Sequence, residues 1–116
     1  MLKLYLKPNC STCRKAKNLL LDKGATFQEV DLNQGLSEAE IEKLIGARDY
    51  RQFLNTRNQL YRERGMKQNP PSRAEALRLM SQHPNLIRRP ILVQGPRMVL
   101  GCDKEAIGAL VLTERK

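Results

Sequence analysis

Two cysteines spaced as Cys10-Ser11-Thr12-Cys13 follow directly on the alternating run Leu2-Lys3-Leu4-Tyr5-Leu6-Lys7. Alternation of apolar and polar residues is the period of a half-buried strand. Pro8-Asn9 ends that strand, since proline has no N–H to give to a ladder. Behind the cysteines, Ala16, Leu19 and Leu20 fall at helical spacing, and Ser11 or Asn9 is placed to cap a helix over about 11–23. The chain must therefore turn from strand to helix at Cys10. The N–H groups of the first helical turn then point at its sulfur, and the helix dipole and Arg14 favour a thiolate over a thiol. A low-pKa cysteine with a second one three residues on suits nucleophilic attack followed by disulfide resolution. Two other uses stay open: half of a zinc site, and a pair of inert buried thiols. Zinc would need two more ligands, and Cys102 and His83 are not paired at ligand spacing.

The rest of the chain reads in order. Gly24 suits the end of the first helix, and Phe27 to Val30 reads as a second strand. Ser37 with Glu40 three residues later forms a capping box, and Leu36, Ile41, Leu44 and Ile45 give that helix its apolar stripe until Gly46. A short helical stretch carries Leu60 and Tyr61. Ser72 with Glu75 predicts a second capping box, on a helix bearing Ala76, Leu77, Leu79 and Met80. Ile91-Leu92-Val93 and Met98-Val99-Leu100 flank Gly95-Pro96, the pattern of a β-hairpin. Asp103 caps a last helix, Lys104 to about Leu112. The order is β-α-β, a helical stretch, then β-β-α. Without the insert this is the thioredoxin arrangement with CxxC at its first helix. The expectation is an α/β fold: one domain over 1–116, a four-stranded mixed sheet, and a helical insertion at about 36–83.

Composition narrows the function classes. The chain has 116 residues and a net charge of +9. Residues 1–7 lack the long apolar core of a secretion signal, and no apolar run has membrane-spanning length, so a cytoplasmic protein with no membrane partner is expected. Three cysteines in that compartment argue for redox chemistry over a disulfide framework. From Arg48 to Arg97 there are eleven Lys and Arg against three acids. Such an excess serves an anionic substrate or an acidic partner. With aromatics at 4% and no tryptophan, nucleic acid is not the expected partner.

Among these basic residues, Arg89 stands before Pro90 at the start of the third strand, and that X-Pro bond is a candidate cis peptide. In a thioredoxin-like fold this turn faces the cysteine loop. Arg89 would then aim at Cys10, to stabilise its thiolate or bind a tetrahedral oxyanion. Arg57 is placed to converge from the insert, and Arg88 is a further candidate. Each of these is also compatible with a solvated surface charge.

Tyr5 to Arg14 (YLKPNCSTCR), Phe53 to Asn58 (FLNTRN) and His83 to Val93 (HPNLIRRPILV) resemble the arsenate reductase (ArsC/Spx/YffB-like) family over nearly the whole chain. The resemblance implies a thioredoxin-like fold with a helical insert. It makes Cys10 the nucleophile and Cys13 its resolving, disulfide-forming partner, and it places two oxyanion-holding arginines on Arg57 and Arg89. A third arginine of the glutaredoxin-coupled arsenate reductases is replaced here by Cys102, and a histidine before their nucleophile by Leu6. No metal or organic cofactor is implied. Electrons would come from glutathione and glutaredoxin or from thioredoxin, and the substrate would be arsenate or a thiol compound. The CxxC and Arg88-Arg89-Pro90 are also similar to the Spx branch, where the pair is a redox switch and the partner is the C-terminal domain of the RNA polymerase α subunit.

Overall fold

β1 (Leu2–Leu6) is an inner strand of a four-stranded sheet in the order β2-β1-β3-β4. The structure, a computed structural model, describes residues 2–7 and 9–114; Pro8, the expected end of the first strand, lies outside them. β2 (Phe27–Asp31) runs parallel to β1, from Leu2 opposite Phe27 to Leu6 opposite Asp31. β3 (Ile91–Gln94) runs antiparallel to β1, with Tyr5 opposite Ile91. β4 (Arg97–Leu100) closes a hairpin with β3. The Gly95-Pro96 turn works because Gly95 takes φ 57, which a β-carbon would oppose. Two helices belong with this sheet: α1 (Ser11–Asp22), the crossover between the parallel strands, and α5 (Lys104–Glu114). The α/β, thioredoxin-like arrangement expected from the sequence is the one observed.

The alternation of β1 decides what is buried. Leu2 and Leu4 join Ala16 and Leu20 of α1, Leu92 of β3, Val99 of β4, and Ile107, Leu110 and Val111 of α5 in one apolar cluster, with Leu6 partly buried against it. Burial of this kind contributes roughly 1.5–3 kcal/mol for each large aliphatic side chain. It holds the head of α1 against the end of β1, where the cysteines lie.

The chain divides into two compact units. One holds the sheet, α1 and α5, from residues up to Leu32 and from Arg89 onward; the other is Asn33–Arg88, where the sequence places an insertion at about 36–83. The second unit contains α2 (Glu38–Ile45), α3 (Gln59–Glu63) and α4 (Arg73–Gln82), with α2 packed on α4. Ser37 and Glu40 form both bonds of the expected capping box, each at 3.1 Å. At Ser72 only half of the expected box forms. Its hydroxyl accepts from the Glu75 N–H at 3.3 Å, but the Glu75 carboxylate goes to Arg78, one turn on along α4. The guanidinium neighbour outcompetes a backbone donor for the same oxygens. Leu54 and Ile87 bridge antiparallel, and Asn55 N–H donates to Leu86 O at 2.7 Å, tying the middle of this unit to its C-terminal end.

Leu92 is fully buried, so Leu92→Ala is expected to lower stability by about 2–5 kcal/mol. Ser37→Ala, which removes only a cap, should cost about 1 kcal/mol. Urea denaturation followed by circular dichroism checks both.

Candidate functional site

Cys10 is itself the cap of α1, not Asn9 or Ser11 as the sequence suggests. Its backbone is extended (φ −99, ψ 118), and its sulfur takes the place a serine or aspartate oxygen has at other caps. The Cys13 N–H donates to Cys10 Sγ at 3.3 Å, and the Thr12 hydroxyl lies at 3.3 Å from the same sulfur. The Cys10 N–H donates to Lys7 O at 3.2 Å, and its carbonyl accepts from Arg14 N at 3.0 Å, the first bond of the helix. The turn from β1 thus leaves Cys10 Sγ facing the orphan donors of the helix head.

Electrostatics follow from this placement. Partial burial works against a Cys10 thiolate. The hydrogen bonds from the Cys13 side chain, Thr12 and the Cys13 N–H outweigh it, and the Arg89 charge adds to them, so the thiol falls to about 7. Cys13 goes the other way. Burial, and its bond to Cys10, push its thiol up to about 12. The pair is thus asymmetric: a half-buried thiol lowered to about 7 and a buried thiol raised to about 12. Cys10, Cys13 and Cys102 are all free thiols in the structure.

Arg89 reaches this site through the sheet. Its bond to Pro90 is cis, and Pro90 O accepts from Gly101 N at 2.8 Å, so the turn before β3 is stitched to the end of β4. The β1–β3 register ends with Tyr5 opposite Ile91, two residues short of Lys7 on one strand and of Arg89 on the other. Lys7 is the residue the sequence reading missed. Burial and the Arg89 charge push its ammonium below the ordinary lysine value, while Asp31, Cys10 and Cys13 pull it back up. Its signal was its position as the last residue of the alternating run before Pro8, with a basic residue entering the third strand.

Of the other expected site residues, Arg14 is on the unit that carries the cysteines, and Arg57 and Arg88 are on the second unit. Arg14 is exposed on the first turn of α1, and the guanidinium that acts on the Cys10 sulfur is that of Arg89. Arg57 and Arg88 belong to the helical unit and are exposed. Arg57 N–H donates to Asn55 Oδ1 at 3.1 Å, and Arg88 N–H donates to Phe53 O at 2.7 Å. Cys102 follows β4 and packs, half-buried, against the apolar cluster. Among the described residues no three His, Cys, Asp or Glu side chains gather as a metal-ligand group. Nor is any helix there long and apolar enough to cross a membrane.

A thioredoxin-like fold with a low-pKa cysteine capping its first helix, and a cis-proline turn beside it, defines the class. Residues 5–110 match the model of the ArsC family, and the chain belongs to that family. A relative named global transcriptional regulator Spx, from Streptococcus mutans, is 31% identical over 96% of this chain and 83% of its own. The crystal structure of a possible arsenate reductase from Streptococcus mutans superposes with a TM-score of 0.73 at 33% identity, covering 87% of this chain and 90% of that one. An arsenate reductase from Vibrio cholerae superposes with a TM-score of 0.81 at 26% identity, covering 94% and 96%.

Alkylation of Cys10 by iodoacetamide should rise with pH through a midpoint of about 7, because only the thiolate reacts. Arg89→Gln and Thr12→Val should each move that midpoint upward, and Cys13 should stay unmodified across the same range. Peptide mass spectrometry after timed alkylation reads all three.

Proposed function

We propose that Cys10 and Cys13 work as a dithiol–disulfide couple and that the chain uses it as a thiol-dependent reductase. The observation that carries this reading is the asymmetry of the pair. The Cys10 thiol is lowered to about 7, which leaves a large share of it as thiolate at neutral pH, and Cys13 is a buried thiol whose N–H donates to the Cys10 sulfur. The Cys10 thiolate attacks an oxidised sulfur or an oxyanion centre. Cys13 then attacks Cys10 Sγ, forms the internal disulfide and displaces the reduced product. Two electrons from glutathione and glutaredoxin, or from thioredoxin, reopen that disulfide. This chemistry calls on no metal and no organic cofactor. Arg89 supports the thiolate and holds a bound anion, with Arg14 as a further basic group on the same unit.

Arsenate is the oxyanion the ArsC family suggests. Cys102, packed against the apolar cluster, stands where the resemblance puts a third guanidinium. Fewer fixed donors mean weaker stabilisation of a developing oxyanion, so low-molecular-weight and protein disulfides are the favoured substrates.

A second reading uses the same couple as a switch. It is favoured by relatives named global transcriptional regulator Spx, which match nearly all of this chain. In that reading the disulfide state controls binding to the C-terminal domain of the RNA polymerase α subunit, in the cytoplasm.

The test is turnover of glutathione mixed disulfides, insulin and arsenate with each thiol donor, beside binding of the polymerase domain to the oxidised and reduced protein. Turnover that is lost in Cys10→Ser, and that in Cys13→Ser stops at a trapped mixed disulfide, supports the reductase. Arg89→Gln is expected to lower that rate about a hundredfold. No turnover with any donor, together with redox-dependent binding, replaces the reductase with the switch.

A further inference from the structure

We propose that closing the Cys10–Cys13 disulfide removes the cap of α1, so that the first turn of this helix loosens in the oxidised protein and its order reports the state of the couple. The inference rests on the Cys10–Cys13 couple proposed above and deepens it: it names what changes in the fold when the couple turns over.

A helix begins with N–H groups that have no partner inside it. At the head of α1 the Arg14 N–H bonds to Cys10 O at 3.0 Å, the first bond of the helix ladder. The Cys13 N–H comes one residue too early to share in that ladder, and its acceptor is Cys10 Sγ at 3.3 Å. Cys13 is fully buried. A buried N–H that loses its acceptor costs more than an exposed one, since water does not replace the bond.

The same sulfur carries the charge that this helix head needs. α1 has no acidic residue in its first turn, whereas α2 has Glu38 and Glu40, α4 has Glu75 and α5 has Glu105. The residues that follow Cys13 are Arg14 and Lys15, whose charges oppose the positive end of the helix. With its thiol lowered to about 7, Cys10 supplies the negative charge that a first-turn carboxylate supplies elsewhere.

Oxidation takes both away. With a disulfide substrate, the Cys10 thiolate and the Cys13 thiol together give up two electrons. The Cys10–Cys13 bond forms and the substrate S–S bond breaks. The two substrate sulfurs leave as one thiolate and one thiol, the thiol carrying the proton that Cys13 lost. Cys10 Sγ is then uncharged and bonded to Cys13 Sγ, and an uncharged sulfur is a weak hydrogen-bond acceptor. The crosslink offers the Cys13 N–H no new acceptor, and the Thr12 hydroxyl, 3.3 Å from Cys10 Sγ, loses its charged neighbour in the same step. The oxidised first turn keeps a covalent tie and gives up these two contacts.

The test is amide hydrogen exchange, read residue by residue by NMR, on the protein reduced with dithiothreitol and oxidised with glutathione disulfide. Mass spectrometry establishes the loss of two hydrogens in the oxidised sample. The Cys13 N–H is expected to exchange about tenfold faster or more in the oxidised protein. The Glu40 N–H, capped by the Ser37 hydroxyl at 3.1 Å, is the internal control and should not change. Cys10→Ser keeps a cap oxygen and cannot form the disulfide, so its Cys13 N–H should stay slow with either reagent. Cys10→Ala has neither cap nor crosslink, and its Cys13 N–H should exchange as fast as that of the oxidised protein, which separates the lost cap from the new bond. Equal Cys13 exchange in the oxidised and reduced protein overturns the proposal, as does a slow Cys13 N–H in Cys10→Ala. An oxidised sample that has not lost the two hydrogens would refute the Cys10–Cys13 couple itself, and this proposal with it.

Discussion

The whole site depends on one sulfur standing where a helix keeps its unpaired N–H groups. Cys10 Sγ accepts the Cys13 N–H as a cap and lies beside the Thr12 hydroxyl. A helix head usually satisfies these donors with an oxygen. A sulfur makes longer, softer bonds, but it gains from them when it is charged. The bonds that begin the helix are thus the bonds that keep the thiolate, so local folding and reactivity share one set of contacts.

That arrangement needs a floor, and the apolar cluster supplies it. Leu2, Leu4, Ala16 and Leu20 fix α1 against β1, and Leu92 and Val99 extend the same layer across β3 and β4. Cys13 is on the buried side of α1, which makes its thiol a weak acid and a protected partner for Cys10. Antiparallel pairing of β3 with β1 brings Arg89 to the end of the sheet where β1 delivers Lys7. The charges around the cysteines are therefore set by strand register. A one-residue slip would turn the side chains of β3 to the other face of the sheet.

The ArsC family joins proteins described as reductases with proteins described as regulators, and the geometry explains how one fold serves both. A thiolate with a buried resolving thiol converts an oxidant into a disulfide whatever happens next. An enzyme must then be reduced quickly by a donor, whereas a switch must hold the disulfide long enough for a partner to read it. Substrate and partner are decided by the groups around such a couple, and this chain carries a net charge of +9. Fold and chemistry are common property, and the use made of them belongs to the surrounding surface.

Much of this was legible along the chain because it is local. Alternation in residues 2–7, the Ser37/Glu40 box, the Gly95-Pro96 hairpin and the strand-to-helix turn at Cys10 each depend on residues within a few positions of one another. Local competition misled at two places. The cap of α1 is Cys10 and not its oxygen-bearing neighbours, and Glu75 turned to Arg78 once both shared a helix face. By itself, then, the sequence determined the elements, their order and the place of the Cys10–Cys13 spacing at the head of the first helix, since those follow from spacing and propensity. Only the tertiary structure decided that Lys7 lies among the charges around that sulfur and that Cys13 is the buried cysteine of the two. Those facts depend on strand register and helix packing, which bring together residues some eighty positions apart and leave no periodic trace in the chain.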